Sequence, residues 1–150
     1  MHYSGANLRK AHTELQARAK GGVAANPRDV FPPLVTRTHS YIMVHRGQGQ
    51  NTGALPNGEQ HEGVTDVYFV VGGSGTVFVG GELENRRISR PGEYLGPLKG
   101  GQGFKLQAGD ILNVPPNMAH GTLPDAGGMT YVLMKVNVGI YPWSLINGTP

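Results

Sequence analysis

Cysteine is absent from this chain of 150 residues, and charged residues make up only 15% of it. The lack of thiols excludes a disulfide-stapled secreted domain and a zinc-finger site. The sequence also has no run of 18 apolar residues and no charged-then-apolar leader that ends in small residues. We therefore expect a cytoplasmic protein that has no membrane partner.

Nucleic-acid binding is disfavoured as well. The net charge is a mild +3. The arginine cluster at 86–90 is flanked by glutamates, and no aromatic residues that could stack on bases lie between the arginines.

Glycine and proline are abundant, with 24 and 11 copies. This favours many short strands joined by tight turns, and the length suits one domain. Residues 4–20 have apolar residues at helical spacing, which predicts a short amphipathic helix. A linker rich in glycine and proline should follow it and complete an arm at 1–34. A β-barrel of jelly-roll type should fill 35–150, with a turn at GGSG (72–75) and the YPWSLI segment (141–146) packed outside.

Two segments alternate between apolar and polar residues as strands do. If the face of 35–47 that carries Tyr41 and His45 points inward, these side chains line the pocket; otherwise they lie at the barrel rim. In 129–138, Lys135 is midway along a strand. It should either face solvent or pair with a carboxylate or anionic ligand, because an unpaired buried ammonium is costly.

Four side chains are candidate metal ligands. Glu59 and His61 are two residues apart, so a strand would place them on one face. A reversal at Gly63 would bring Asp66 back opposite them, and His120 follows a second apolar run and a Pro-Pro turn. Imidazole nitrogen with carboxylate oxygen suits one divalent transition metal: Fe(II), Mn(II), Ni(II), Co(II) or Zn(II).

These residues resemble the first sequence motif of the cupin family. Glu59 stands where that motif has its first histidine, and His61 stands at its second. Asp66 stands at the glutamate of the motif, and Gly73 at its closing glycine. The set differs from the usual three histidines and one glutamate, and it is harder and more negative.

A second stretch resembles the other cupin motif and is the more specific match. Gly109, Pro115 and His120 stand at its characteristic positions, whereas Asn117 occupies a position where glycine is usual. The two motifs and their strands cover roughly residues 36–138.

The resemblance implies an all-β, double-stranded β-helix barrel that binds a metal and pairs as a homodimer. It implies that the metal residues are Glu59, His61, Asp66 and His120. Glu59 either ligates the ion directly or hydrogen-bonds to a metal-bound water.

Three functions follow from this resemblance. The leading one is a metal-dependent enzyme that acts on a small organic molecule, with a dioxygenase-type oxidoreductase as its specific form. The second is an isomerase or lyase in which the metal holds an enediolate while Tyr41, His45 or Tyr68 moves protons. The third is a cupin that binds a sugar or other small ligand without turnover.

Overall fold

The computed structural model describes residues 2–27, 29–50, 56–139 and 142. No helix in this part of the chain is both long and apolar enough to cross a membrane. The elements in chain order are α1 (Gly5–Ala19), β1 (Val23–Ala25), β2 (Leu34–Val35), β3 (His39–Arg46), a 3-10 turn (Gln48–Gln50), β4 (Asn57–His61), β5 (Val64–Val79), β6 (Glu82–Leu83), β7 (Arg87–Arg90), β8 (Glu93–Lys99), β9 (Gln102–Gln107), β10 (Ile111–Val114) and β11 (His120–Asn137).

Two long antiparallel strands, β5 and β11, form the frame of the barrel. They pair with each other over most of their length. Strand β3 pairs with the C-terminal half of β11, while β9 and β10 pair with the two halves of β5. Strand β4 joins the start of β11 to β8. The predicted all-β jelly-roll barrel with an N-terminal helix is confirmed.

The barrel interior is filled by alternate residues of these strands, as strand geometry requires. Tyr68 and Val70 of β5 pack there with Tyr131 and Leu133 of β11, and all four are buried. The alternation puts Lys135 on the same inward face of β11. The interior is therefore apolar in its middle and polar where β11 ends.

Helix α1 covers the outer face of the sheet. The Ser4 hydroxyl caps its first turn by accepting a hydrogen bond from the Asn7 N–H at 3.2 Å. Its buried stripe, which includes Ala11 and Leu15, packs against Phe31. This apolar contact fixes the helix on the barrel.

The face of β3 that carries Tyr41 and His45 points toward this helix. Tyr41 packs in the cluster beneath α1, whereas Val44 packs in the barrel interior. Of the two placements left open for Tyr41 and His45, the one inside the pocket is excluded, because both side chains lie on the helix side of the sheet. Both faces of β3 are covered, so the alternation of the sequence could not tell which face is inside.

The glycine-rich segment at 72–75 is not a turn. Strand β5 runs through it without a break, from Val64 to Val79. Gly73 has φ of 71°, and a Cβ at this position would lie 2.1 Å from the carbonyl oxygen of Gly128. The glycine is needed because β5 bends against an irregular part of β11, where two backbones come close.

The N-terminal arm contributes two strands to the sheet. Strands β1 and β2 both pair with β3, although a linker was expected between the helix and residue 35. The expected packing of the 141–146 segment falls outside the described residues, apart from Pro142.

Two histidines join helix α1 to the barrel through one hydroxyl group. His12 Nδ1 and His45 Nδ1 each lie 2.7 Å from Thr130 Oγ1. A hydroxyl donates only one hydrogen, so at least one imidazole must donate to it. Burial lowers the pKa of both histidines, and the neighbouring His12 ring lowers the pKa of His45 further.

This junction predicts that helix docking weakens in acid. The folded pKa values lie below the unfolded value of about 6.5, so the stabilisation is complete above that pH and is lost as pH falls. His12→Asn should lower stability at pH 7.5 by about 1 kcal/mol, the loss of one hydrogen bond. It should also reduce the drop in melting temperature between pH 7.5 and pH 5.5.

The control is His2→Asn, because His2 is exposed. In this variant the melting temperature should drop between pH 7.5 and pH 5.5 by as much as in the native protein. An identical drop in melting temperature for His12→Asn and the native protein would contradict the role of this junction.

Candidate metal centre

The four predicted ligands meet at one end of the barrel. Glu59 and His61 share one face of β4, and the chain reverses before β5, which carries Asp66. His120 begins β11 directly opposite Glu59 in the strand register. One ligand atom from each residue lies within 4.8 Å of all the others.

The separations between these atoms are those of ligands around a single ion. His61 Nε2 lies 3.5 Å from Glu59 Oε2 and 3.4 Å from Asp66 Oδ2. His120 Nε2 lies 3.5 Å from Glu59 Oε1 and 3.3 Å from Asp66 Oδ2. Such contacts are long for hydrogen bonds, but an ion about 2.1 Å from each ligand separates neighbouring ligand atoms by about 3.0 to 3.4 Å.

His120 directs one ring nitrogen into this centre. Its Nδ1 lies 3.0 Å from the Met118 carbonyl oxygen and donates to it, which directs Nε2 into the site. His120 Nε2 is buried without a hydrogen-bond partner. A buried nitrogen in this state is suited to a metal.

The charge state of His120 is set by opposing effects. Burial disfavours the charged ring, but the Asp66 and Glu59 carboxylates outweigh it and raise the pKa of His120 to about 9. A metal ion that binds Nε2 below that pH must displace a proton.

Lys135 faces the site and not solvent. Its ammonium nitrogen lies 3.1 and 3.0 Å from the two Asp66 oxygens and 2.9 Å from His61 Nε2. Burial opposes its charge, yet the Asp66 and Glu59 carboxylates hold the pKa of Lys135 above its usual range. Of the two environments open to this lysine, it occupies the one beside a carboxylate.

The two carboxylates are ionised for the same reason. Burial would raise the pKa of Asp66, but the Lys135 ammonium and the two histidines hold it well below its usual range. The same opposition, again led by Lys135, lowers the pKa of Glu59. The Glu59 side chain is 26% exposed, whereas that of Asp66 is fully buried, so Glu59 forms the open side of the centre.

Glu93 is a functional neighbour that the motif did not indicate. It lies opposite His61 in the pairing of β4 with β8, and its Oε2 is 3.5 Å from His61 Nδ1. Arg90 holds its other oxygen at 3.2 Å. A carboxylate on the far nitrogen of a metal-binding histidine orients the ring, but only the strand register brings it there.

The predicted catalytic side chains are divided by the barrel wall. Tyr68 lies in the interior with its ring edge-on to His120, at 6.3 Å between centroids. Tyr41 and His45 lie beneath helix α1, on the other face of the sheet. Of the three, the structure brings only Tyr68 to the centre.

A cavity of about 170 Å³ borders the centre on its open side. Glu59 and His120 line it, together with Arg46 and Thr122. Arg46 Nε donates to the Tyr131 hydroxyl at 2.8 Å, which fixes the guanidinium group. The cavity is a partly polar space next to the ligand cluster, and it is smaller than the roughly 300 to 1,000 Å³ of most ligand pockets.

The donor set fits a divalent transition metal. Two imidazoles and two carboxylates lie at ion-compatible separations, and one of their nitrogens has no other partner. The set is too rich in nitrogen for a dedicated calcium or magnesium cage and too hard for Cu(I).

No protein-family model matches the sequence, and no curated protein matches it. Several solved structures are similar to this chain in fold. KdgF from Halomonas sp., a cupin-fold protein, aligns with a TM-score of 0.52 and 16% identity over 77% of this chain and 79% of its own. SPY1581 from Streptococcus pyogenes, a conserved protein of unknown function, aligns with a TM-score of 0.51 and 12% identity over 79% and 76%.

A third structure is the cupin domain of Cnp3 from Schizosaccharomyces pombe, with a TM-score of 0.48 and 9% identity over 70% of this chain and 61% of that one. The strand topology described above and the likeness to KdgF together establish the architecture. This chain has the fold of the cupin superfamily.

Proposed function

We propose that this protein is a metal-dependent enzyme that acts on a small organic molecule. The observation that carries the proposal is the convergence of Glu59, His61, Asp66 and His120, with every ligand atom within 4.8 Å of the rest. These four residues would hold the ion, and the adjacent cavity would hold the substrate.

The residues around the cavity have distinct parts in this proposal. A divalent ion at this position supplies Lewis-acid activation of a carbonyl, enol or carboxylate and, if it is redox-active, a binding point for dioxygen. Glu59 lies between the cluster and the cavity, where it can accept a proton from a bound molecule. Arg46 offers a fixed cation to an anionic group of the substrate.

A dioxygenase-type reaction is our leading assignment. Two carboxylates neutralise the charge of the ion, which disfavours ionisation of a bound water and favours Fe(II) or Mn(II) chemistry over zinc-hydroxide hydrolysis. The cavity next to the cluster leaves space for a substrate beside the ion.

An isomerase or lyase is the second candidate, and Lys135 favours it. Its ammonium group lies within hydrogen-bond distance of two ligand residues, and Tyr68 lies edge-on to a third. Burial raises the pKa of Tyr68 well above its ordinary value, so this hydroxyl remains protonated. Hydrogen-bond donors at these positions would stabilise the negative charge of an enediolate held at the ion.

Oxygen consumption separates the two reaction classes. The protein would be loaded anaerobically with Fe(II) and then mixed with oxygen and a panel of catechols, diketones and enols. We expect substrate-dependent oxygen uptake for at least one compound. Conversion of a panel compound without oxygen uptake would support the isomerase or lyase, and binding without conversion would indicate a ligand-binding cupin.

Removal of His120 tests the metal centre. His120→Ala should lower bound metal from about one ion per chain to near zero, because it removes one of the four proposed ligands. Elemental analysis measures the loss, and circular dichroism measures whether the fold persists.

The matched control is His39→Ala. His39 is also on a strand, but its Nδ1 contacts Thr38 at 2.9 Å and it lies outside the cluster. This variant should keep its metal. Full metal content in a folded His120→Ala variant would rule out the assignment.

Glu59→Gln decides whether Glu59 touches the ion. Its oxygens lie at ion-compatible distances from both imidazoles, so we expect metal affinity to fall at least about tenfold, or about 1.4 kcal/mol. A chelator-competition titration measures the affinity. The control is Glu62→Gln, because Glu62 accepts a hydrogen bond from the Tyr94 hydroxyl and is not one of the four clustered residues. Unchanged affinity with lower turnover would instead make Glu59 a base that acts on a metal-bound water.

A further inference from the structure

Lys135 competes for atoms that the metal centre needs. Its Nζ lies 2.9 Å from His61 Nε2, and that nitrogen lies 3.4 Å from Asp66 Oδ2, at an ion-compatible separation. An imidazole nitrogen has one lone pair, which points along the ring plane. It cannot accept a hydrogen bond from the ammonium group and bind an ion at the same time.

Asp66 does not impose the same exclusion. Its carboxylate has about four lone-pair sites, and the ammonium group contacts both of its oxygens at nearly equal distance. Lys135 can therefore keep Asp66 Oδ1 while an ion takes Oδ2. His61 Nε2 is therefore the atom that can bind either the ammonium group or the ion, but not both.

We propose that the Lys135 ammonium is a built-in occupant of the centre, which a divalent ion must displace from His61 when it binds. This inference rests on the proposed metal site. In the metal-free protein the ammonium group balances two buried carboxylates and keeps the four ligand residues together. In the metal-bound protein it shifts toward Asp66 Oδ1, beside the ion.

Two effects of opposite sign follow from this exchange. Without the ammonium group, the metal-free protein holds Asp66 and Glu59 with less compensating charge, so it should be less stable. The ion, however, would no longer displace a hydrogen bond or face a neighbouring cation, so it should bind more tightly. A lysine with only a structural role would weaken both stability and binding.

Lys135→Met tests the exchange, because methionine keeps much of the chain length and removes the charge. We expect the metal-free variant to melt at a lower temperature than the native protein and to bind Co(II) at least tenfold more tightly in competition with a chromophoric chelator. The control is Lys105→Met. Lys105 pairs with Asp125 at the surface, and its loss should change Co(II) affinity less than twofold.

A second measurement uses the unaltered sequence and does not depend on the variant folding. In a ¹⁵N-labelled protein, the buried Lys135 ammonium should give a resolved signal, and one equivalent of Zn(II) should shift it while the Lys105 signal stays in place. An unmoved Lys135 signal at saturating Zn(II) overturns the proposal.

The possible outcomes separate this inference from the metal site itself. Equal or weaker Co(II) binding by a folded Lys135→Met variant overturns the competition and leaves the metal centre intact. Binding by neither protein overturns both proposals. Binding by the variant alone would show that the ion cannot displace the ammonium group in the native protein, and this would overturn the exchange.

Discussion

The polar end of this barrel depends on the burial of two carboxylates at one point. Asp66 is fully buried and Glu59 mostly so, and their nearest neighbours are two imidazoles and one ammonium group. Buried like charges are tolerated only with compensating cations. Lys135 meets this requirement in the polypeptide itself, and a divalent ion at the same position would meet it more fully. The raised pKa of His120 reflects the same shortage of positive charge.

The backbone that creates this point is a pair of long bent strands. Strand β5 carries Asp66 near one end, and β11 carries His120 at its start and Lys135 near its finish. Lys135 lies directly opposite Asp66 in their pairing. The pairing of the two strands shifts register between Pro124 and Met129, beside the close approach of Gly73 to Gly128. The apolar interior then isolates the charged end from the rest of the core.

Much of the fold and the clustering of the four candidate ligands could be predicted from sequence because the signals were local. The two-residue spacing of Glu59 and His61 is a property of any strand, and glycine and proline mark the turns around His120. The placement of Tyr41 and His45 could not be decided from sequence because β3 is buried on both faces, with Met43 under the helix and Val44 in the barrel.

Other features depended on distant pairing. Glu93 reaches His61 only through the register of β4 with β8. The glycines at 72–75 are equally compatible with a turn and with a close backbone approach, and only β11 decides between them. The strand position of Lys135 predicted that it either faces solvent or pairs with a carboxylate or anionic ligand. Only the pairing of β5 with β11, which puts Asp66 opposite Lys135, decides between the two.

The central claim is that one divalent ion is held at the meeting point of β4, β5 and β11. A crystal of the protein soaked in Co(II) or Zn(II), with diffraction recorded on both sides of the absorption edge of the metal, tests it most directly. The account predicts one anomalous peak about 2.0 to 2.2 Å from the ligand atoms of Glu59, His61, Asp66 and His120. A peak elsewhere, or no peak with the Lys135 ammonium still on His61, would contradict it.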